Sequence, residues 1–554
     1  MRYFCVFGLS FFLINSAIIG QLLNQSTDSI TRADSLRGSL NENRDWYDVT
    51  YYHLDLQVFP SEKRITGSNE IYFIVNRIAP IMQLDLFQNM AIDKIELLGR
   101  ECPYTRELNA IFVDIPVSLK LGSIHHITVF YHGMPIEAKK APWDGGFVWA
   151  KDENNTDWIG VACEGLGASA WWPNKDHLSD EPDSMRISCT VPSNLKFIGN
   201  GYMEKEEKVD TDFVKYTWKV SYPINNYNVT LNIGDYSHFH EMVENGGAVL
   251  DLDYYVMKSN FEKARKQFQQ VKPMLKCYEK YLGPYPYPKD GFALVETPYL
   301  GMEHQGAIAY GNKYKPGYAG NTRFINGLDF DYIIIHESGH EWWGNNVSCK
   351  DIADLWIHEA FTTYTESIYV ECTLDKKAAL AYINSNKEGV DNKRPIIGPY
   401  GVNREGDGDM YSKGALFLNS LRNTINNDEV WWKIIRGMQD NFGGKTIDTQ
   451  DVLSYFNANS GMKLDPIFDQ YLRFPNIPQL MYSLVKKGKN KFDLSFRWIA
   501  DNKAFNMPVE YSFDSSKPVR IFPTTNWQTI KIKKMKTENI RFSEELFYFE
   551  LLAK

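Results

Sequence analysis

No basic stripe runs along this 554-residue chain: 60 lysines and arginines face 69 aspartates and glutamates, a formal charge of -9. Nucleic-acid affinity depends on clustered cations that neutralise phosphates, so that partner is set aside. Beyond the N-terminus no uncharged apolar run reaches the about 20 residues of a spanning helix, which excludes further membrane spans. Internal repeats are absent, and 24 prolines in 554 residues give no case for wholesale disorder. Cysteines are few, seven in all, with no CxxC. Thiols this sparse are buried hydrophobes or one or two disulfides, and the sequence does not pair them. One pairing is disfavoured: a mainly helical segment between Cys349 and Cys372 spans roughly 30 Å. A disulfide tolerates at most about 7 Å between Cα atoms.

What is present begins with Met1-Arg2 and a mostly apolar run from Tyr3 to Ile19, followed by a polar stretch to about Arg44. This is signal-peptide architecture, with an uncleaved anchor as the alternative. Export to a periplasmic, extracellular or outer-surface location is therefore expected. Cys5, inside this segment, has no small-residue context for lipidation. From about Trp46 to Val243 apolar residues alternate, as in Tyr52, Leu54, Leu56, Val58 and Ile71, Phe73, Val75, which is strand periodicity. Near residue 255 the period lengthens: Phe261, Ala264, Phe268, Val271, Leu275, Tyr278 and Leu282 predict a helix with Asn260 as cap and Gly283 as stop. Alternation returns from about Pro478. The predicted units are 1–20 signal, 21–45 polar leader, 46–245 β domain, 246–475 mainly helical domain and 476–554 β domain.

The strongest local motif is His336-Glu337-Ser338-Gly339-His340, with an apolar lead-in from Tyr332 to Ile335. On a helix, the i, i+4 spacing stacks both imidazoles on one face, where they reach a single metal. Glu337 is placed to take a proton from water at that metal. Catalytic zinc normally takes three protein ligands and keeps a fourth position open. A second amphipathic segment, Asp354 to Phe361, offers His358 and Glu359. Neighbouring helical residues point about 100° apart, so only one of the two faces the metal.

HExxH followed, after eighteen residues, by Glu resembles the gluzincin aminopeptidases, and His336, Glu337, His340 and Glu359 carry that pattern here. The resemblance makes Glu359 the third ligand. Upstream, Leu300-Gly301-Met302-Glu303-His304 resembles the family's GxMEN segment. This implies that Glu303 binds the substrate α-amine and that Gly301 and Met302 border the first pocket. Tyr411-Ser412-Lys413-Gly414 is similar to the family's Tyr-x-Lys-Gly, whose tyrosine stabilises the oxyanion. Glu164, nine residues before Pro173, matches the acid that supplies a second amine anchor; four extra residues separate Pro173 from Asp180-Glu181-Pro182.

The resemblance implies a multidomain α+β fold: a β-rich N-terminal saddle domain, a thermolysin-like mainly helical catalytic domain and a small C-terminal β-sandwich. The activity it implies is zinc-dependent release of N-terminal residues from peptides. A free amine has a pKa of about 7.7 to 8.0, so two fixed carboxylates select it and exclude internal bonds. The rival readings are a zinc endopeptidase of the same fold and a silent scaffold. Leu300, His304 and His358 depart from the family pattern, which affects the shape of the amine site. The chain ends after its last β domain, so the cleft is expected to be more open than in longer relatives, or covered by another subunit.

Overall fold

The computed structural model describes residues 29–245, 248–513, 517–533 and 539–554. The signal segment 1–20 lies outside the described residues, as does the leader up to residue 28. Among the described residues no helix is long and apolar enough to cross a membrane. The leader is more ordered than a polar connector: Arg32–Gly38 is a helix (α1), started by a capping box between Thr31 and Asp34.

A β-rich N-terminal part and a helical part follow, as the change of period predicts. Tyr47–Phe59 pairs antiparallel with Arg64–Val75 and parallel with Ser184–Pro192, at the centre of an eight-stranded sheet. The parallel partner is reached only after the long intervening chain, as a parallel crossover requires. Tyr52, Leu54, Leu56 and Val58 fall on one face because side chains alternate along a strand, and all four are buried.

A five-stranded sheet leads into the helical part. Its edge strand Gly301–Met302 pairs antiparallel with Ile308–Tyr310, which sets Glu303 at the strand's end. The long helix expected from Phe261 to Leu282 is instead two helices, α2 (Phe261–Gln267) and α3 (Val271–Tyr281), joined by a 3-10 turn over Phe268–Gln270. Pro273 has no N–H to give the carbonyl four residues earlier, and its ring crowds that carbonyl; the ladder tightens there. Asn260 precedes α2 without a side-chain cap.

The site is framed by α4 (Tyr332–Gly339), α5 (Trp356–Thr373), α6 (Lys376–Ser385) and α7 (Ser412–Ile425). Cys277 in α3 is bonded to Cys372 near the end of α5, with Cα atoms 5.9 Å apart. Cys349 is free and buried. Beyond residue 478, strands return as two small sheets of four and three strands.

Candidate metal centre and amine site

Helix α4 is short, so its placement depends on its ends. Asp331 caps it by accepting from Ile333 N–H, and the same carboxylate accepts from Tyr310, Asn312 and Gln267 at 2.7–2.8 Å. Burial nevertheless pushes Asp331 up to about 6. Ile333, Ile334 and Ile335 seat the helix in the core. The helix ends at Gly339, but His340 keeps helical dihedrals (φ -63°, ψ -21°), so the i, i+4 stacking persists through it.

The two imidazole Nε2 atoms lie 3.3 Å apart. A Glu359 Oε2 stands 3.8 Å from His336 Nε2 and 3.6 Å from His340 Nε2. Ligands about 2.0–2.2 Å from tetrahedral zinc are separated from one another by about 3.3–3.6 Å, close to this triangle. Glu359 Oε2 is buried without a hydrogen-bond partner among the described residues. Two imidazoles and a carboxylate around an orphaned acceptor fit zinc, and the borderline-soft donor set argues against magnesium or calcium.

Both Nδ1 atoms are committed elsewhere, which turns each Nε2 lone pair inward. His336 Nδ1 is 2.7 Å from Glu366 Oε1, and His340 Nδ1 is 3.0 Å from the Trp343 carbonyl. Burial opposes charge on His336, but the hydrogen bond and charge of Glu366 outweigh it and raise the imidazole to about 9. His340 is held well below its usual value by burial and by the nearby His336. His358, the sequence competitor for the third position, faces away: its Nε2 accepts from Cys349 N–H at 2.9 Å.

A cleft of about 700 Å³ opens over this triangle. All nine residues singled out from the sequence line it: Glu164, Gly301, Met302, Glu303, His336, Glu337, His340, Glu359 and Tyr411. Carboxylate oxygens of Glu164, Glu303 and Glu359 lie within 4.8 Å of one another. Burial, reinforced by the neighbouring acids, pushes Glu164 and Glu359 well up, and burial raises Glu303. Glu337 is raised to about 8 by burial, with His336 opposing. So many buried carboxyl groups demand compensating positive charge, and the geometry allots two places for it: one at the imidazoles, one between Glu164 and Glu303.

Neighbours fix the acids. A Cβ on Gly301 would lie 2.8 Å from Glu337 Oε1, so only glycine leaves that carboxylate its place. Tyr227 donates to Glu303 Oε1 at 3.0 Å. Gly414 lets α7 approach α5, where an added Cβ would sit 2.5 Å from that of Ala360. Tyr411, at the start of α7, thereby lines the cleft together with Glu359. Sequence reasoning missed Tyr227 and Glu366. Glu366 had a signal, seven residues after Glu359 and so two turns along the same helix face. Tyr227 had none.

Residues 266–471 match the Peptidase family M1 domain. Over that stretch the chain is similar to M1 peptidase domains. Among curated proteins it is similar to glutamyl aminopeptidase of Sus scrofa, 24% identical over 541 residues, covering 87% of this chain and 55% of that protein. Leucyl aminopeptidase of Saccharolobus solfataricus is 22% identical over 441 residues, covering 76% and 53%. The chain thus spans about half the length of these curated relatives. Among solved structures, an M1 zinc metallopeptidase of Deinococcus radiodurans has a TM-score of 0.64 at 20% identity, covering 78% of this chain and 94% of that one. A two-domain M1 zinc metallopeptidase bound to L-tryptophan has a TM-score of 0.65 at 19% identity, covering 80% and 98%.

Proposed function

We propose that this chain is a zinc-dependent aminopeptidase that hydrolyses the first peptide bond of peptides with a free N-terminus. The observation that carries the reading is the pairing of two sites in one cleft: the His336–His340–Glu359 triangle, and the Glu164–Glu303 carboxylates within 4.8 Å of Glu359. The relatives named as aminopeptidases support it.

His336, His340 and Glu359 would hold the metal. Zinc there would supply Lewis acidity, lowering the pKa of a water at the site toward about 7 and polarising the scissile carbonyl. Glu337 takes the proton of the attacking water on its carboxylate and delivers it to the leaving amine. The Tyr411 hydroxyl donates to the carbonyl oxygen as that atom gains charge. Glu303 and Glu164 bind the substrate ammonium and fix its distance from the reacting carbon, so cleavage falls after one residue. An endopeptidase has no use for that pair of acids.

Three further readings belong with this one. The architecture is read as an N-terminal saddle domain (46–245), a thermolysin-like catalytic domain (246–475) and a β-sandwich (476–554). The segment Tyr3–Ile19 is read as an export signal, a reading supported by the Cys277–Cys372 disulfide, since such bonds persist in oxidising compartments. The partners are peptides, not nucleic acid.

The test is a panel of aminoacyl fluorogenic substrates and their N-acetylated forms on metal-analysed protein. Free-amine substrates should be cut and acetylated ones left intact. Glu337→Gln should keep its zinc and lose about 10²–10⁴-fold in kcat. Cleavage of acetylated substrates at comparable rates would turn the reading to an endopeptidase.

A further inference from the structure

The leader helix α1 is built into the back of the amine site. Glu164 sits in a tight turn closed by Gly167 N–H donating to the Cys163 carbonyl. The carbonyls inside that turn, of Gly165 and Leu166, both accept from the guanidinium of Arg37, in the last turn of α1. The same guanidinium lies 3.1 Å from the Asp176 carboxylate, which accepts from the N–H and hydroxyl of Ser169 just beyond the turn. Arg37 therefore grips the turn on its inner carbonyls and, through Asp176, on its downstream side. Gly167 has φ +96°, and a Cβ there would fall 2.0 Å from Arg37 Nη2, so the absent side chain and the guanidinium share one space.

Two clefts border the turn, and Arg37 lines both. The helix itself is held from two directions. Asn403 N–H donates to the Asp34 carbonyl at 2.9 Å, and Arg404 donates to the Ser29 carbonyl at 2.9 Å. Arg44, fully buried and paired with Asp85 at 2.6 Å, donates to the carbonyls of Leu36, Arg37 and Ser39. Both carbonyls are met by the one Nη1 nitrogen, while Nε at the other end of the guanidinium faces Asp176 as an ion pair; a lysine ammonium reaches one of these ends at a time.

We propose that Arg37 is a positioning residue for Glu164, setting how tightly the cleft holds a substrate ammonium. This rests on the reading of Glu164 as an amine anchor. The test uses the full chain with Arg37→Met, Arg37→Lys and, as reference, Glu164→Gln. KM and kcat are measured on an aminoacyl anilide alongside zinc content and melting temperature. Arg37→Met should raise KM about tenfold, the scale of a displaced binding group, with kcat within about twofold and zinc retained. Arg37→Lys should fall between wild type and Arg37→Met, and it carries the test alone if the methionine variant does not fold. If Glu164→Gln raises KM and the Arg37 variants leave it unchanged, the inference fails while the amine site stands. The same holds if kcat, zinc and melting temperature fall together. If Glu164→Gln leaves KM unchanged, the amine-site reading itself fails.

Discussion

An imidazole binds a metal through the nitrogen its other hydrogen bond leaves bare. Glu366 makes that choice for His336, and Tyr382 in α6 donates to the second Glu366 oxygen, which holds the carboxylate in place. Replacing Glu366 with glutamine keeps the shape and removes the charge that makes the imidazole a stronger donor. Zinc affinity should fall about 10- to 100-fold, as read by competition with a chelator. An unchanged affinity would show the contact to be idle. The metal triangle was legible in the sequence because i, i+4 spacing on a helix determines geometry without further information. Glu366 was less legible, since one acid among 69 gains meaning only with a known helix face. Tyr227 was not legible, because its neighbour Glu303 is 76 residues away in sequence.

Elements, too, were legible where a period dictated them. The alternation of Tyr52 to Val58 and of Phe492, Leu494, Phe496 and Trp498 reads directly as strands with one buried face, and both are so placed. The helix over Phe261–Leu282 was foreseen by its period, whereas its division was not, because a single Pro273 acts locally and leaves the apolar spacing intact. The leader was compositionally polar, and its order comes from contacts with residues 83–404 that no local pattern announces. Pairing of cysteines was undetermined for the same reason. The Cys277–Cys372 bond ties α3 to the far end of the helix that carries Glu359, across 95 residues of chain. Closing a loop of that length removes unfolded-state entropy worth about 4–5 kcal/mol in the chain-entropy limit, and about 2–4 kcal/mol is typical of measured cases. Cys277→Ser with Cys372→Ser should lower the unfolding free energy by about 2–4 kcal/mol, and reductant should then have no further effect on the variant. Equal stability of wild type and variant would mean the bond does not constrain the unfolded chain.

Across the molecule, the cleft is a product of two parts: Glu164 and Tyr227 come from the β-rich part, and the metal triangle from the helical part. Asn225 and Asn228 seal the junction, donating to the Gly344 carbonyl and the Asn345 side chain at 2.7–2.8 Å. Near the same junction lies His177, bonded to Ser179 and to the Gly38 carbonyl of the leader. Burial, with Arg44 adding repulsion, holds its imidazole down to about 3. The folded pKa is below the unfolded value of about 6.5, so this stability is intact above about pH 6.5 and drains away as pH falls toward 3. Its loss at pH 5 amounts to about 2 kcal/mol. Buried acids act in the opposite sense: Glu181 is raised to about 8 and Glu341 to about 7 by burial. Their contribution is full below about pH 4.3 and lost as pH rises through 7 and 8, a window that overlaps the one for His177. His177→Gln isolates one side of this balance. Its stability relative to wild type should improve by about 2 kcal/mol between pH 7 and pH 5 in denaturant titrations. A difference that stays constant across that range would mean His177 takes up its proton as readily in the folded protein as in the unfolded chain, and at pH 5 the junction would then have to accommodate a cation beside Arg44 and Lys175.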